Sequence, residues 1–202
     1  MISTDQIKEL RDKTGVSVMQ CKKALEEAGG DMAKATVILH KISKAVAEKK
    51  ADRVFGAGVI QSYIHSNGSV GAMVELSCET DFVAKNEDFK TLARDIAMHV
   101  TATNPEFLKV SDVSEEDKKA ATEVFMKEVE GLPDGKASKP ENIKAQILEG
   151  KLKAYFKEKI LLEQNFIKNP EVTIQSLVDS AIQKFGEKTE IARFVRFSVL
   201  GR

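Results

Sequence analysis

The side chains able to do chemistry are few, and their spacing limits what they can do. His40, His65 and His99 fall on separate expected elements, with no two at the spacing of a metal pair. Cys21 and Cys78 are far apart and form neither a Cys-x-x-Cys pair nor a disulfide framework, which fits a reducing cytoplasm. Gly131 to Ala137 contains Gly-Lys but misses a phosphate-binding loop. Its first glycine is too close, Ala137 stands where Ser or Thr should follow Lys136, and no strand precedes it. There is no Gly-x-Ser-x-Gly elbow, no dinucleotide glycine pattern and no acid pair in an apolar setting that would tune one carboxyl as a general acid. No enzyme activity, resident metal or cofactor is expected. What remains is recognition. In Cys78-Glu79-Thr80-Asp81-Phe82-Val83-Ala84-Lys85-Asn86, an acid and a large aromatic, Asp81 and Phe82, stand at a strand-to-helix junction. Surface turns commonly carry function, so Phe82 is a candidate probe for a partner protein; the alternative is that it folds back into the core.

The elements that position this turn follow from periodicity. Ile7 and Leu10 share a helical face before Thr14-Gly15. Val18, Cys21 and Leu25 continue at helical spacing until Gly29-Gly30, and Asp31 is a ready N-cap for a third helix striped by Ala35, Ile38, Leu39 and Ile42. Lys44 to Arg53, rich in Lys and Ala but with Glu48 and Asp52, reads as a solvated helical linker. Val59 to His65 and Val70 to Cys78 flank Asn67-Gly68, a strong hairpin signal. Cys78 shares the face of Ala72, Val74 and Leu76 and is expected in the core.

A long helix then carries Phe89, Leu92, Ala93, Ile96, Ala97 and Val100. His99 lies off that stripe and His65 at a hairpin tip, so both are expected in solvent. Ser114 to Asp117 reads as a capping box and Ser138, Pro140 and Glu141 as a second helix start, with Gly131 to Gly135 as the turn between two helices. Leu161 to Ile167 reads as extended. Thr173 caps a last helix closed by Gly186, and Ile191, Arg193, Val195, Phe197 and Val199 alternate as a final strand that joins the hairpin, near the expected end of the chain.

The fold class expected is α+β: a three-helix N-terminal bundle (1–43), a helical linker (44–55), a core with an antiparallel sheet backed by helices (56–111 and 158–202) and an antiparallel coiled-coil hairpin (112–157). Lys plus Arg equals Asp plus Glu at 31 each, so broad capture of nucleic acid or an anionic membrane is not expected. The N-terminus carries no secretory signal pattern and no apolar run reaches membrane-spanning length, so the expected location is the cytoplasm.

Two motifs in order resemble bacterial elongation factor Ts. One is Leu10-Arg11, Thr14-Gly15 and Cys21-Lys22-Lys23-Ala24-Leu25; the other is Glu75-Leu76 with Cys78 through Asn86. Gly135-Lys136, Pro140, Ile143, Glu149 to Lys153 and the closing Arg193-Phe194-Val195-Arg196-Phe197 fit the same pattern. The resemblance implies a guanine-nucleotide exchange factor of elongation factor Tu. By that likeness the turn of Thr80, Asp81, Phe82 and Val83 enters the partner beside its Mg²⁺ and nucleotide, and Arg11 and Met19 face its nucleotide domain. Arg11 as a solvated charge and Met19 as core filler are the ordinary alternatives. Where the family usually has alanine-glycine after Thr-Gly and an acid before Cys-Lys-Lys, this chain has Val16-Ser17 and Gln20. Long members carry two related core subdomains and this chain has segments for one, so a homodimer pairing through the sheet is expected. Two other readings stand beside this one: an interaction module of the ubiquitin-associated type, and an RNA-binding protein using Lys44 to Arg53.

Overall fold

In the computed structural model, which describes residues 2–130, 141–199 and 201, the fold is α+β. Among the described residues there are eight α-helices, a three-stranded antiparallel sheet and a small two-stranded one. The chain divides into two units, Met1–Thr103 with Asn165–Arg202, and Asn104–Gln164.

The first unit opens with α1 (Thr4–Thr14), α2 (Val18–Glu27) and α3 (Met32–Lys49). Ser3 and Gln6 form a reciprocal capping box at α1, and Ser17 and Asp31 cap α2 and α3. Gly15 ends α1 with φ 69°, a left-handed conformation that favours glycine. Leu10, Val16, Cys21, Ala24, Leu25, Ala35 and Leu39 form one buried cluster between the three helices. The Lys- and Ala-rich segment from Lys44 is helical to Lys49 and continuous with α3.

The sheet is ordered β1 (Ala57–Ile64), β2 (Val70–Cys78), β5 (Thr189–Ser198), with β2 in the centre. Ala57 pairs with Cys78 across the hairpin, and Gly68 takes φ 67° in the Asn-Gly turn. On the other side Cys78 pairs with Thr189, with a register shift at Glu75/Leu76. The inner face of β2, from Ala72 through Val74, Leu76 and Cys78, is buried. Packed against this sheet are α4 (Asp81–Ala84) and α5 (Glu87–Thr103), and Phe89 of α5 meets Phe185 edge to face at 5.7 Å. The last helix, α8 (Ile174–Phe185), is capped by Thr173, closed by Gly186 at φ 72°, and packs on α3. Ser43 of α3 donates a hydrogen bond to Gln183 of α8.

Two expectations need correction. His99 is fully buried, not solvated, because α5 is covered beyond its apolar stripe. The Ile167 amide donates to His99 Nδ1 at 3.3 Å and the ring lies against Phe166. The segment 161–167 is not simply extended: Leu161–Glu163 is a 3₁₀ turn, and β3 (Asn165–Phe166) pairs with β4 (Asn169–Thr173).

The second unit holds α6 (Glu115–Glu130) and α7 (Glu141–Lys159). Ser114 Oγ accepts from the Asp117 amide at 3.1 Å. Phe125 meets Tyr155 edge to face, and Lys151 pairs with Glu128 at 2.6 Å, so these helices run antiparallel. The amides of Glu106 and Phe107 both donate to the Lys159 carbonyl, tying the two ends of the unit together. The expected turn at Gly131 to Gly135, the loop test at Gly131 to Ala137, the helix signals at Ser138 and Pro140, and Gly135-Lys136 of the family pattern lie outside the described residues.

Candidate interaction site

The strand β2 ends at Cys78, and two residues later the chain enters α4, a single turn of helix. The Thr80 carbonyl accepts from the Ala84 amide at 3.2 Å, and that of Asp81 from the Lys85 amide at 3.0 Å. Asn86 then caps the next helix, its Oδ1 accepting from the Asp88 amide at 2.9 Å.

One helical turn sends neighbouring residues in different directions. Val83 and Ala84 point inward and are buried, while Phe82 is 81% exposed. An exposed aromatic of this size loses most of the burial that would stabilise it, roughly 1.5–3 kcal/mol for a large apolar side chain. Its place outside the core is therefore a property of the turn and not of weak packing, since the two residues after it are well buried.

Asp81 is also exposed and pairs with Lys85 at 2.5 Å. The hydrogen bond and the positive charge of Lys85 hold its carboxyl below the usual aspartate range. An acid and an aromatic are thus presented side by side, the acid in its charged form.

Below the turn, Cys78 Sγ donates to the Thr80 carbonyl at 3.2 Å, and burial pushes its thiol pKa up. Cys78 is a buried structural side chain, not a nucleophile. Cys21 is likewise buried, with its thiol pushed up by burial.

The root of the turn is held from far along the sequence. Arg53 Nη1 donates to both carboxylate oxygens of Glu79 at 3.1 Å. The Lys188 amide donates to Glu79 Oε1 at 2.5 Å and, with Arg53, holds this carboxyl below the usual glutamate range. Glu187 accepts from the amides of Glu79 and Thr80 and from the Thr80 hydroxyl. Nothing local in the sequence marks Glu187. It lies in the connection between α8 and β5, and only the pairing of β5 with β2 brings it to the turn.

Thr80, Asp81, Phe82 and Val83 are therefore gathered on one turn, with Val83 as anchor and not as a presented side chain. Arg11 and Met19 lie apart from it in sequence, on α1 and α2, and are both exposed. Met19, at 69% exposed, is not core filler. Among the described residues no cluster of His, Cys, Asp and Glu is arranged to hold a metal ion, and no helix is long and apolar enough to cross a membrane.

A family model described as Elongation factor TS matches residues 5–201. The chain belongs to the elongation factor Ts family. It is 47% identical over 199 residues to elongation factor Ts of Carboxydothermus hydrogenoformans, covering 98% of this chain and 89% of the relative. The match to elongation factor Ts of Thermosipho melanesiensis is 46% over 199 residues, covering 98% of this chain and 99% of the relative. Elongation factor Ts of Thermodesulfovibrio yellowstonii is 46% identical over 198 residues, covering 98% and 96%. Membership of the elongation factor Ts family makes this chain a translation elongation factor of the nucleotide-exchange kind.

Proposed function

We propose that the protein accelerates GDP release from elongation factor Tu by inserting the Asp81–Phe82 turn beside the Mg²⁺ and nucleotide of that GTPase. The observation that carries this reading is Phe82, 81% exposed on a turn whose next two residues are buried. A projecting aromatic on an anchored base is suited to fill a pocket in a partner, and such aromatics commonly dominate binding energy. Mg²⁺ bridges nucleotide phosphates and the loops that hold them, so disturbing its ligands weakens nucleotide binding.

No bond chemistry is required of the factor. It must bind the nucleotide-free GTPase more tightly than the loaded one, and reciprocity then lowers nucleotide affinity by the same factor. Exposed Arg11 and Met19, on a bundle read as ubiquitin-associated-like, supply a second contact with the partner's nucleotide domain. The α6–α7 pair acts as a coiled-coil hairpin, the protein works in the cytoplasm, and direct nucleic-acid contact is not required. The deciding experiment is the release rate of fluorescent GDP from purified elongation factor Tu with and without the protein. Acceleration that is lost in Phe82→Ala supports the reading; no acceleration by the unaltered protein overturns it.

A homodimer is the second part of the proposal. The outer face of the sheet exposes Ile60, Ile64, Met73, Val195 and Phe197, an apolar patch of the kind that marks association surfaces. A second copy seated there would bury the patch and stand in for the second core subdomain of longer members. Light scattering at micromolar concentration should give twice the chain mass, and a monomer in free and complexed samples rules the pairing out.

A further inference from the structure

We propose that Glu187 is a positioning residue for nucleotide exchange: its carboxylate fixes the Thr80–Val83 turn in the orientation that Phe82 needs. The inference rests on the proposed use of Phe82.

Thr80 occupies the N-cap position of α4, yet its side chain does not cap the helix. Its hydroxyl donates instead to Glu187 Oε1 at 2.6 Å. Glu187 Oε2 accepts from the Glu79 amide at 3.1 Å and the Thr80 amide at 3.0 Å. One carboxylate thus gathers three donors at the two residues immediately before Asp81. Bonds of this kind, with a charged acceptor, are roughly twice as strong as neutral ones.

The same loop also donates to the turn. Next to Glu187, the Lys188 amide bonds Glu79 Oε1, and Lys188 Nζ reaches the carbonyls of Ala51 at 2.6 Å and Arg53 at 3.0 Å. Arg53 in turn binds the Glu79 carboxylate. Glu79 and the Glu187–Lys188 pair therefore exchange hydrogen bonds in both directions, with the residues after α3 closing the ring.

α4 needs this support. It is four residues long, too short to be stable by its own hydrogen bonds. The Asp81–Lys85 pair lies within the turn and its flank, so it cannot set the direction of the turn relative to the sheet. Burial of Val83 and Ala84 sets how deep the turn sits. Glu187 supplies the remaining constraint, the angle at which the chain leaves β2.

A wedge held at a fixed angle meets the partner already ordered; a loosened one must be ordered during insertion, and small misplacements of a working group carry large rate penalties. The effect belongs in the maximal rate of GDP release at saturating factor. The concentration giving half-maximal rate should move less, because the rest of the contact surface is unchanged.

The test compares Glu187→Ala, Glu187→Gln, Thr80→Val, Phe82→Ala and the double variant Phe82→Ala/Glu187→Ala in fluorescent-GDP release from elongation factor Tu. Glu187→Ala should lower the maximal rate by roughly ten- to a hundred-fold. Glu187→Gln keeps an oxygen for the two amides and should recover most of the rate. Thr80→Val removes only the hydroxyl contact, should slow exchange by a smaller factor, and decides the question if Glu187→Ala does not fold. The double variant should be no slower than Phe82→Ala alone, since both act through one turn. Normal maximal rates for both Glu187→Ala and Thr80→Val, with Phe82→Ala slow, overturn the inference while leaving the role of Phe82 standing. A further loss on adding Glu187→Ala to Phe82→Ala also overturns it, by showing that Glu187 acts elsewhere. If Phe82→Ala itself exchanges normally, the reading beneath the inference fails first, and the inference with it.

Discussion

Phe82 and Val83 are neighbours in sequence and opposites in environment: the phenylalanine is 81% exposed and the valine 3%. On the proposed use of Phe82, this contrast sets a presented contact beside a buried anchor. Phe82→Ala should abolish most of the acceleration of GDP release while leaving the melting temperature and circular dichroism spectrum unchanged. Val83→Ala should lower the stability of the isolated protein by on the order of 2 kcal/mol, through two lost methyl groups and the cavity they leave, and should slow exchange less than Phe82→Ala does, since the ring remains. Thermal melts and exchange assays on the two variants, run side by side, check this. A large melting loss in Phe82→Ala would mean the ring packs somewhere after all.

Glu79 makes stability depend on pH in a specified direction. Its folded pKa is depressed, first by the Lys188 amide and then by Arg53. A depressed carboxyl contributes stability that is present above its unfolded pKa, about 4.3, and is lost as pH falls through the lower folded value. Glu79→Gln should therefore melt earlier than the unaltered protein at pH 7, and the gap should narrow as pH is lowered below about 4.3. A gap that is constant from neutral pH to pH 3 would show that the charge of Glu79 contributes nothing.

The two thiols should be inert in the folded protein. Cys21 and Cys78 are buried, and burial raises both thiol pKa values, so little thiolate is present at neutral pH. A chromogenic thiol reagent at pH 7.5 should react slowly with native protein and rapidly, at both cysteines, in guanidinium. Fast reaction of one thiol in the native state would reveal local opening at α2 or at the end of β2.

Phe89 is the largest fully buried side chain of α5 and stacks edge to face on Phe185. Truncating it to alanine should cost about 3–5 kcal/mol, as is usual for a buried phenylalanine. A urea titration should show this as a lower midpoint with the slope preserved. Because the turn is also held by Glu187 and by the Lys188 amide on Glu79, exchange activity measured well below the melting point should survive better than stability does.

The fold was legible in sequence where neighbours in the chain decide the structure. Asp31, Thr173 and Gly186 mark helix ends through local hydrogen bonding, and Asn67-Gly68 marks the hairpin through backbone conformation. The alternation of β5 was enough to add a third strand. His99 was not legible, because what buries it is the region of the β3–β4 hairpin, whose two short strands leave almost no period to read. The turn was visible as an acid beside an aromatic, but its outward presentation was left open by the sequence until Val83 and Ala84 were seen to anchor it. Glu187 was invisible for the same reason as His99. An isolated acid in a short connection looks like any solvated charge until a distant strand brings it home.

The distance between Glu187 and Thr80, 107 positions in the chain, has a consequence for how the protein is made. Contacts so far apart form late, since the intervening loop must close before they stabilise anything. During synthesis β1 and β2 emerge long before β5, so the central strand of the finished sheet is for a time an edge strand with unpaired amides and carbonyls. In that interval the turn has its sequence but not its brace. On the proposed use of Phe82, a nascent chain gains a competent wedge only when its final strand docks, and a chain cut short before that strand should fold its N-terminal helices yet fail to accelerate GDP release from elongation factor Tu.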